Sequence, residues 1–338
     1  MKYFEKHLKM TDSAEDIDIS VHCDIKIFEW LMSYLTESGP RLEISNVIPI
    51  LISADFLVMA RLIDDWVRFI VKNLTEVIKI PVDMGCLSLY VLKSISKAVT
   101  VEELDACKDP KDSLQSKLFT HKLDEILKEE SNSLNLWMYW NTLFTPKQLE
   151  WMVCPRAEIF IDYRGRVLAN HVADSDWNIN EFFAFITTNG VSWRRIFWKV
   201  WARLKFDSCL TCGQKFTYSE IDNWTYHPSP PVFSYGSNIG KYECWGSEAL
   251  RFTTHGENKG WKSRSHLPKL LKESSLDYKF ILKHKDLFVE SVNWPEVRQN
   301  DTKDVNTIFK ITKNFIVLFL FSNSILKTYK INDLHLNK

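Results

Sequence analysis

The residues best suited to chemistry in this sequence are two cysteines, Cys209 and Cys212, with two residues between them and Gly213 directly after them. This spacing favours a tight turn that directs both sulfur atoms toward one point, and zinc prefers four sulfur or nitrogen ligands in a tetrahedron. His227 and Cys244 follow in a stretch that is rich in glycine and proline. The sequence therefore predicts a zinc ion held by Cys209, Cys212, His227 and Cys244. Its role would be structural, because four protein ligands leave no position open for a substrate.

Two other interpretations of the cysteine pair stay open. A redox pair with this spacing normally lies between a strand and a helix of a thioredoxin-like unit, and the neighbouring sequence does not predict that context. The cysteines could also be ordinary core residues. Three further residues are alternative ligands, called the reserve ligands here: Cys154, His255 and His266. The phrases around Cys212 and His227 are similar to small zinc-binding modules of the cysteine- and histidine-rich type, although that class carries further ligands with no match here.

The predicted zinc residues lie in an aromatic-rich segment, residues 134–272, whose pattern indicates mixed α and β structure. Residues 158–163 alternate as a strand, and residues 184–205 include a helix rich in tryptophan and arginine. The chain from 209 to 261 is rich in loops. The basic residues of segment 193–206 could contact nucleic acid phosphates or could be the solvated face of an amphipathic core helix. Equal numbers of basic and acidic residues, 43 of each, favour the core helix.

The first part of the chain predicts a compact unit of strand and helices. Residues 16–24 alternate as a half-buried strand, residues 25–35 are helical, and residues 42–44 form a short strand. Two helices follow, with Asn46 capping the first and Asp55 capping the second. Residues 83–97, 101–107 and 114–130 add three more helices.

Three phrases of this unit, at residues 16–24, 28–32 and 48–57, resemble the BTB/POZ family. The sequences of these segments are most similar to those of the vertebrate SANT- and BTB-domain regulators of class switch recombination. Since no SANT-like segment precedes the BTB-like residues, we expect a form that lacks the SANT region. The resemblance extends from about residue 2 to about residue 261.

The resemblance implies a non-enzymatic nuclear regulatory protein, present also in the cytoplasm in some circumstances, that restrains class switch recombination. It implies homodimerisation, for which Phe4 and Leu8 on a leading helix are the candidate interface residues, and recruitment of corepressors or other regulatory proteins. An alternative is a substrate adaptor of a cullin-type ubiquitin ligase, because helices after a BTB core resemble those that some family members present to cullins. A metal-dependent enzyme is a third and distant alternative, since it would need an open coordination position.

The predicted fold class is α+β. Its parts are a BTB/POZ-like dimerisation domain at 1–108, a helical extension and linker at 109–133, the mixed α/β domain at 134–272, and a partly disordered tail at 273–338. Seven cysteines and the absence of an apolar N-terminal stretch predict an intracellular protein with reduced thiols. Neither membrane contact nor direct nucleic-acid binding is expected of this chain. The apolar run at 315–321 is far shorter than the roughly 20 residues that span a bilayer.

Overall fold

The computed structural model describes residues 3–5, 9, 23–36, 40–129, 134–136, 143–149, 151–152, 159–161, 163, 167–169, 177–251, 260–269 and 278–289. The chain divides into two compact units. The first comprises residues 1–126 and 192–197, and the second comprises residues 127–191 and 198–338. Among the described residues, no helix has both the length and the apolar character needed to cross a membrane.

The described part of the first unit consists of helices. After a helical stretch at residues 3–5, they are Ile25–Leu35, Val47–Phe56, Ala60–Lys72, Leu74–Val77, Leu89–Ala98, Val101–Ala106 and Gln115–Glu129, with short 3-10 turns at Ile44–Asn46 and Met84–Cys86. Helix Ile25–Leu35 has the predicted bounds. The helices predicted at 101–107 and 114–130 are confirmed to within a residue or two.

The starts of these helices follow ordinary capping chemistry. Asp24 accepts hydrogen bonds from the N–H groups of Lys26 and Ile27, and Ser88 accepts one from Val91. Thr100 and Glu103 form a reciprocal capping box. Each cap supplies a partner to backbone donors that have none within the first helical turn.

Three predictions for the segment 42–60 are wrong. Residues 42–44 form no strand, and a 3-10 turn begins at Ile44. Asp55 does not cap the second helix, because it lies inside helix Val47–Phe56, and the next helix begins only at Ala60 with no side-chain cap. The side chain of Asn46 also makes no capping hydrogen bond.

A sharp turn at Val58 separates these two helices. The Val58 N–H donates to the Asp55 carbonyl at 3.0 Å and the Met59 N–H donates to the Ala54 carbonyl at 2.9 Å. This pair of bonds is a Schellman motif, which normally places glycine at the position that Val58 occupies. Val58 has φ +56°, which is rare and strained for a β-branched side chain. The turn lets the two helices pack against each other.

The core of the first unit is aliphatic with one large aromatic centre. Trp66 is fully buried, and its ring lies 5.8 Å from that of Trp30 and 5.4 Å from that of Phe69. Ile50, Leu51 and other aliphatic side chains of helix Val47–Phe56 are also buried. The amphipathic pattern of helix Ala60–Lys72 therefore serves packing.

The second unit combines helices with short antiparallel strands, as the predicted mixed fold requires. Its helices are Ile179–Thr188, Tyr278–Lys283 and Lys285–Phe288. Helix Trp193–Leu204 also belongs to this unit from Trp198 onward. Its paired strands are Asn135–Leu136 with Leu143–Phe144, Ile159–Ile161 with Val167–Ala169, Phe206–Ser208 with Lys215–Thr217, Trp224–Tyr226 with Lys262–Arg264, and Ile239–Lys241 between Val232–Phe233 and Glu248–Leu250. At the start of the 3-10 turn Pro146–Gln148, the Thr145 N–H donates to the Gln148 Oε1 at 2.9 Å.

Aromatic rings dominate the core of the second unit. Trp198 is fully buried, lies parallel to the His284 ring at 5.0 Å, and contacts Trp201 edge-on at 5.5 Å. Phe288, which is also fully buried, lies in the segment predicted to be a tail. The rest of that predicted tail, apart from residues 278–289, lies outside the described residues, as do most of the predicted strand 16–24 and the run 315–321.

Candidate functional site

Cys209 and Cys212 lie at the two ends of a tight turn that follows strand Phe206–Ser208. The Gly213 N–H donates to the Cys209 carbonyl at 2.9 Å, and the Cys209 N–H donates to the Gln214 carbonyl at 2.8 Å. Gly213 has φ +71°, a conformation in which glycine avoids the strain that other residues meet. The glycine after the cysteine pair is thus explained by the geometry of the turn.

A second chain segment brings His266 to this turn. The Leu210 N–H donates to the Leu267 carbonyl at 2.8 Å, and the Lys269 N–H donates to the Ser208 carbonyl at 2.9 Å. The His266 N–H itself donates to the Ile221 carbonyl. These bonds fix the backbone on both sides of the histidine.

Three ligand atoms therefore come together. The sulfur atoms of Cys209 and Cys212 and a ring nitrogen of His266 all lie within 4.8 Å of one another. The Cys212 Sγ lies 3.6 Å from the His266 Nδ1. Cys209 and His266 are buried, whereas Cys212 is half-buried. The His266 ring stacks on Phe216 at 4.4 Å with an interplanar angle of 10°, which restricts its rotation.

The electrostatics of the three groups differ. Burial alone would raise the pKa of the Cys209 thiol, but hydrogen bonds from backbone N–H groups, including those of Leu267 and Thr211, hold this pKa below its usual value. Burial raises the pKa of Cys212, with the neighbouring Cys209 adding to the effect. Burial lowers the pKa of His266 to about 4, because the charged imidazolium would lose its hydration.

His227 and Cys244 lie next to each other, outside this group of three. The Cys244 Sγ is 3.4 Å from the His227 Nδ1, and the His227 ring stacks on Tyr242 at 3.6 Å. The structure thus joins Cys209 and Cys212 to the reserve ligand His266, and it does not gather the four residues first predicted from the sequence into one cluster. The two other reserve residues, Cys154 and His255, lie outside the described residues.

The candidate dimerisation residues belong to the first unit. Phe4 is half-buried, and its ring contacts that of Tyr3 edge-on at 5.5 Å. The Tyr3 ring lies 5.0 Å from that of Phe56, at the end of helix Val47–Phe56. This contact places the Tyr3 ring against the helical core, at the partly exposed side chain of Phe56. Leu8 lies outside the described residues.

The basic helix Trp193–Leu204 packs as a core helix. Arg194, in the first unit, forms two hydrogen bonds to the Asp105 carboxylate, at 2.6 and 3.0 Å. Arg203, in the second unit, is buried and lies 3.5 Å from the Glu220 carboxylate. Both arginines therefore have acidic partners within their own unit, an arrangement that suits stabilisation better than phosphate binding.

Comparison with known proteins gives one family for the first unit. The family model described as the BTB domain of the SANT and BTB domain regulator of CSR matches residues 1–67. No solved structure gives a significant match to the chain. The matched segment contains helices Ile25–Leu35 and Val47–Phe56 and the buried part of helix Ala60–Lys72 up to Val67. This match agrees with the resemblance seen in the sequence over residues 1–67, and the N-terminal segment of the chain is similar to the BTB domain of the SANT and BTB domain regulator of CSR.

Proposed function

We propose that this chain is a non-enzymatic nuclear regulator that forms a homodimer through its N-terminal BTB domain and recruits other proteins, corepressors among them, to restrain class switch recombination. The single observation that carries the proposal is the family match at residues 1–67. BTB domains generally mediate contacts between proteins, so an interaction regulator is the class of function that this match supports.

Exposed apolar side chains in the matched segment support the proposal. Phe56 is 46% exposed and Val58 is 50% exposed, although each is large and apolar. Phe56 lies where the Tyr3 ring meets the helical core, and Val58 follows it two positions later in the sequence. We propose that a second copy of the chain covers this surface, with Phe4 and Leu8 at the contact. A symmetric contact uses every such side chain twice, once from each copy.

The mass of the purified full chain in solution tests the dimer. We expect a dimer for the wild type and a monomer at the same micromolar concentration for the double variant Phe4→Asp with Leu8→Asp. Burying a phenylalanine contributes about 2 kcal/mol, so removing the Phe4 contact from both copies should weaken dimerisation at least about hundredfold.

Leu89→Asp is the matched control. Leu89 is 66% exposed and belongs to the same unit, but it lies outside the matched residues 1–67. Its position in the first turn of helix Leu89–Ala98 tolerates a carboxylate, because negative charge is favourable near a helix N-terminus. This variant should stay dimeric. A monomeric wild type, or dissociation by Leu89→Asp to the same extent, would contradict the proposed interface.

The regulatory role has its own assay. Expression of the wild-type chain in B cells stimulated to switch should lower the fraction of switched cells, and Leu89→Asp should do the same. The Phe4→Asp, Leu8→Asp chain should lose this effect and should co-precipitate less corepressor. An equal effect of all three chains would separate the cellular role from dimerisation and would count against the proposal.

Helix Gln115–Glu129 is the observation that favours the cullin adaptor as the second candidate. It follows the BTB domain, and its residues Leu118, Phe119 and Leu123 are buried in the first unit. An ordered helix at this position fits the extension that the resemblance associates with cullin binding. A pull-down with the folded full chain as bait that fails to retain a cullin would exclude this candidate.

A further inference from the structure

We propose that Cys209, Cys212 and His266 bind one zinc ion, and that this ion links two segments of the second unit. This inference does not rest on the proposed regulatory function. It also differs from the ligand set that the sequence spacing suggested, because His266 takes the place of His227 and Cys244.

The distances fit a tetrahedral zinc ion. With zinc–sulfur bonds of about 2.3 Å and zinc–nitrogen bonds of about 2.0 Å, a sulfur and a nitrogen ligand lie about 3.5 Å apart. The Cys212 Sγ and the His266 Nδ1 are 3.6 Å apart. The Cys209 sulfur lies within 4.8 Å of both atoms, so small side-chain rotations bring all three to coordinating distance.

The backbone around Cys209 suits a metal-bound thiolate. The Thr211 and Leu267 N–H groups point at the Cys209 Sγ at 3.4 and 3.3 Å. Hydrogen bonds to a charged acceptor favour the ionised form, and the thiolate is the form of cysteine that binds metal. One of these donors comes from the turn and the other from the residue after His266. The same contact therefore orients a ligand and joins the two segments.

The surroundings favour zinc over a redox disulfide. The residues after Cys212 lead into strand Lys215–Thr217, whereas a reactive cysteine pair normally lies at a helix N-terminus that stabilises its thiolate. Two thiolates and one imidazole are soft and borderline ligands that select zinc over calcium or magnesium. Within the described parts of the chain, no fourth cysteine, histidine or carboxylate joins the group.

The proposed ion would link two segments that are distant in the sequence. Cys212 and His266 are 54 positions apart in the sequence, and the intervening strands are two or three residues long. Short strands contribute little cohesion by themselves, and a metal held by ligands from both ends of such a segment contributes its binding free energy to folding.

Metal analysis of the purified full chain in reducing buffer tests the site. After chelation and reloading with zinc alone, the wild type should hold about one zinc per chain. The variants Cys209→Ser and His266→Gln should bind zinc more than about tenfold more weakly. The matched controls Cys244→Ser and His227→Gln remove the other cysteine–histidine contact and should keep wild-type affinity. A metal-free wild type, or equal loss in the two control variants, would overturn the assignment.

Cobalt gives a second readout in which the variant is expected to gain signal, so that a simple loss of folding does not mimic the expected result. With Co²⁺ in place of zinc, thiolate-to-metal charge-transfer absorption reports the number of bound sulfur atoms. His266→Cys should still bind Co²⁺ and should absorb more strongly than the wild type, because it adds a third thiolate to the same site. An unchanged spectrum in His266→Cys would show that His266 is not a ligand and would refute the proposal.

Discussion

Asp109 holds the start of helix Gln115–Glu129, and its removal should loosen that helix in a measurable way. Its Oδ2 accepts hydrogen bonds from the Leu114 N–H at 2.9 Å and the Gln115 N–H at 3.0 Å. The Ser113 hydroxyl donates to the other carboxylate oxygen at 3.3 Å. Leu114 is buried, so water cannot easily replace the carboxylate as the partner of its N–H group.

The size of the effect follows from these contacts. A hydrogen bond to a charged group contributes about 1.5–3 kcal/mol, and Asp109 is half-buried, which reduces its share through solvent screening. We expect Asp109→Ala to lower the free energy of local opening by about 2 kcal/mol, equivalent to roughly 30-fold faster amide exchange in residues 115–129. Asp109→Asn keeps an acceptor oxygen and should cost about half as much.

Hydrogen exchange of the full chain, read by mass spectrometry, measures this effect where it occurs. Asp24→Ala is the matched control, because it removes the same charge and a comparable cap, but from the exposed start of helix Ile25–Leu35. Its effect should be about 1 kcal/mol or less and should be confined to that helix. Exchange in residues 115–129 that stays within threefold of wild type in Asp109→Ala would refute the reasoning.

The same carboxylate predicts a pH dependence. Burial alone would raise the pKa of Asp109, but hydrogen bonds from the Gln115 and Leu114 N–H groups more than offset this and hold the pKa below its usual value of 3.8. Because the folded-state pKa is lowered, the stabilisation is complete above the unfolded value and is lost as the pH falls below about 3.8 through the folded value. The protection of residues 115–129 should therefore fall below pH 4 in the wild type. It should fall less in Asp109→Asn, and parallel curves would contradict this explanation.

Three further substitutions test the packing, and thermal unfolding of the full chain measures each. Trp66→Ala empties the fully buried centre of the first unit and should destabilise it by about 3–5 kcal/mol; a loss under about 1 kcal/mol would contradict the described core. Gln148→Leu removes the buried side-chain amide that contacts the Thr145 N–H at 2.9 Å and the Arg203 carbonyl at 2.7 Å. The loss should destabilise the protein by about 2–4 kcal/mol. An unchanged stability would mean that water replaces the amide. Val58→Asn places a residue that tolerates the left-handed conformation at this turn and should stabilise the first unit by about 0.5–1 kcal/mol. A clear destabilisation would show that packing of the valine side chain contributes more than its backbone strain costs.

Local patterns predicted the helices of the first unit well. Helix Ile25–Leu35 combines apolar spacing with an aspartate cap, and helix Val101–Ala106 starts at a complete capping box, so both carry their own boundary signals. The turn at Val58 carries no such signal. The apolar pattern runs on through it, and valine takes the place that a glycine would have marked. Tertiary packing of the two helices decides this boundary, and packing does not appear in a local pattern.

For the same reason, the sequence predicts the cysteine pair of the candidate metal site but not its histidine. The pair Cys209 and Cys212 with Gly213 forms one local turn, so its spacing revealed it. The choice of histidine depends on backbone pairing between residues 208–210 and 267–269, which lie about sixty positions apart in the sequence. Spacing alone does not show that His266, and not His227, lies beside the cysteine pair. A weak cue existed in the run from Lys262 to Arg264, whose strand leads directly to His266.

The pairing of residues 208–210 with 267–269 brings the two ends of the segment between them close together within the second unit. The segment between them is an excursion of the chain whose side chains Phe216, Tyr218 and Ile221 are buried, whereas its turn at Tyr235 is exposed. Tyr235, at the fully exposed turn with Gly236 at φ +76°, lies inside this excursion. Because doubling the length of a flexible loop costs only about 0.6 kcal/mol, residues inserted beside Tyr235 should be tolerated. The turn at Tyr235 is therefore a suitable place for a fluorescent label or an affinity tag, and a natural place for relatives of this chain to differ in length.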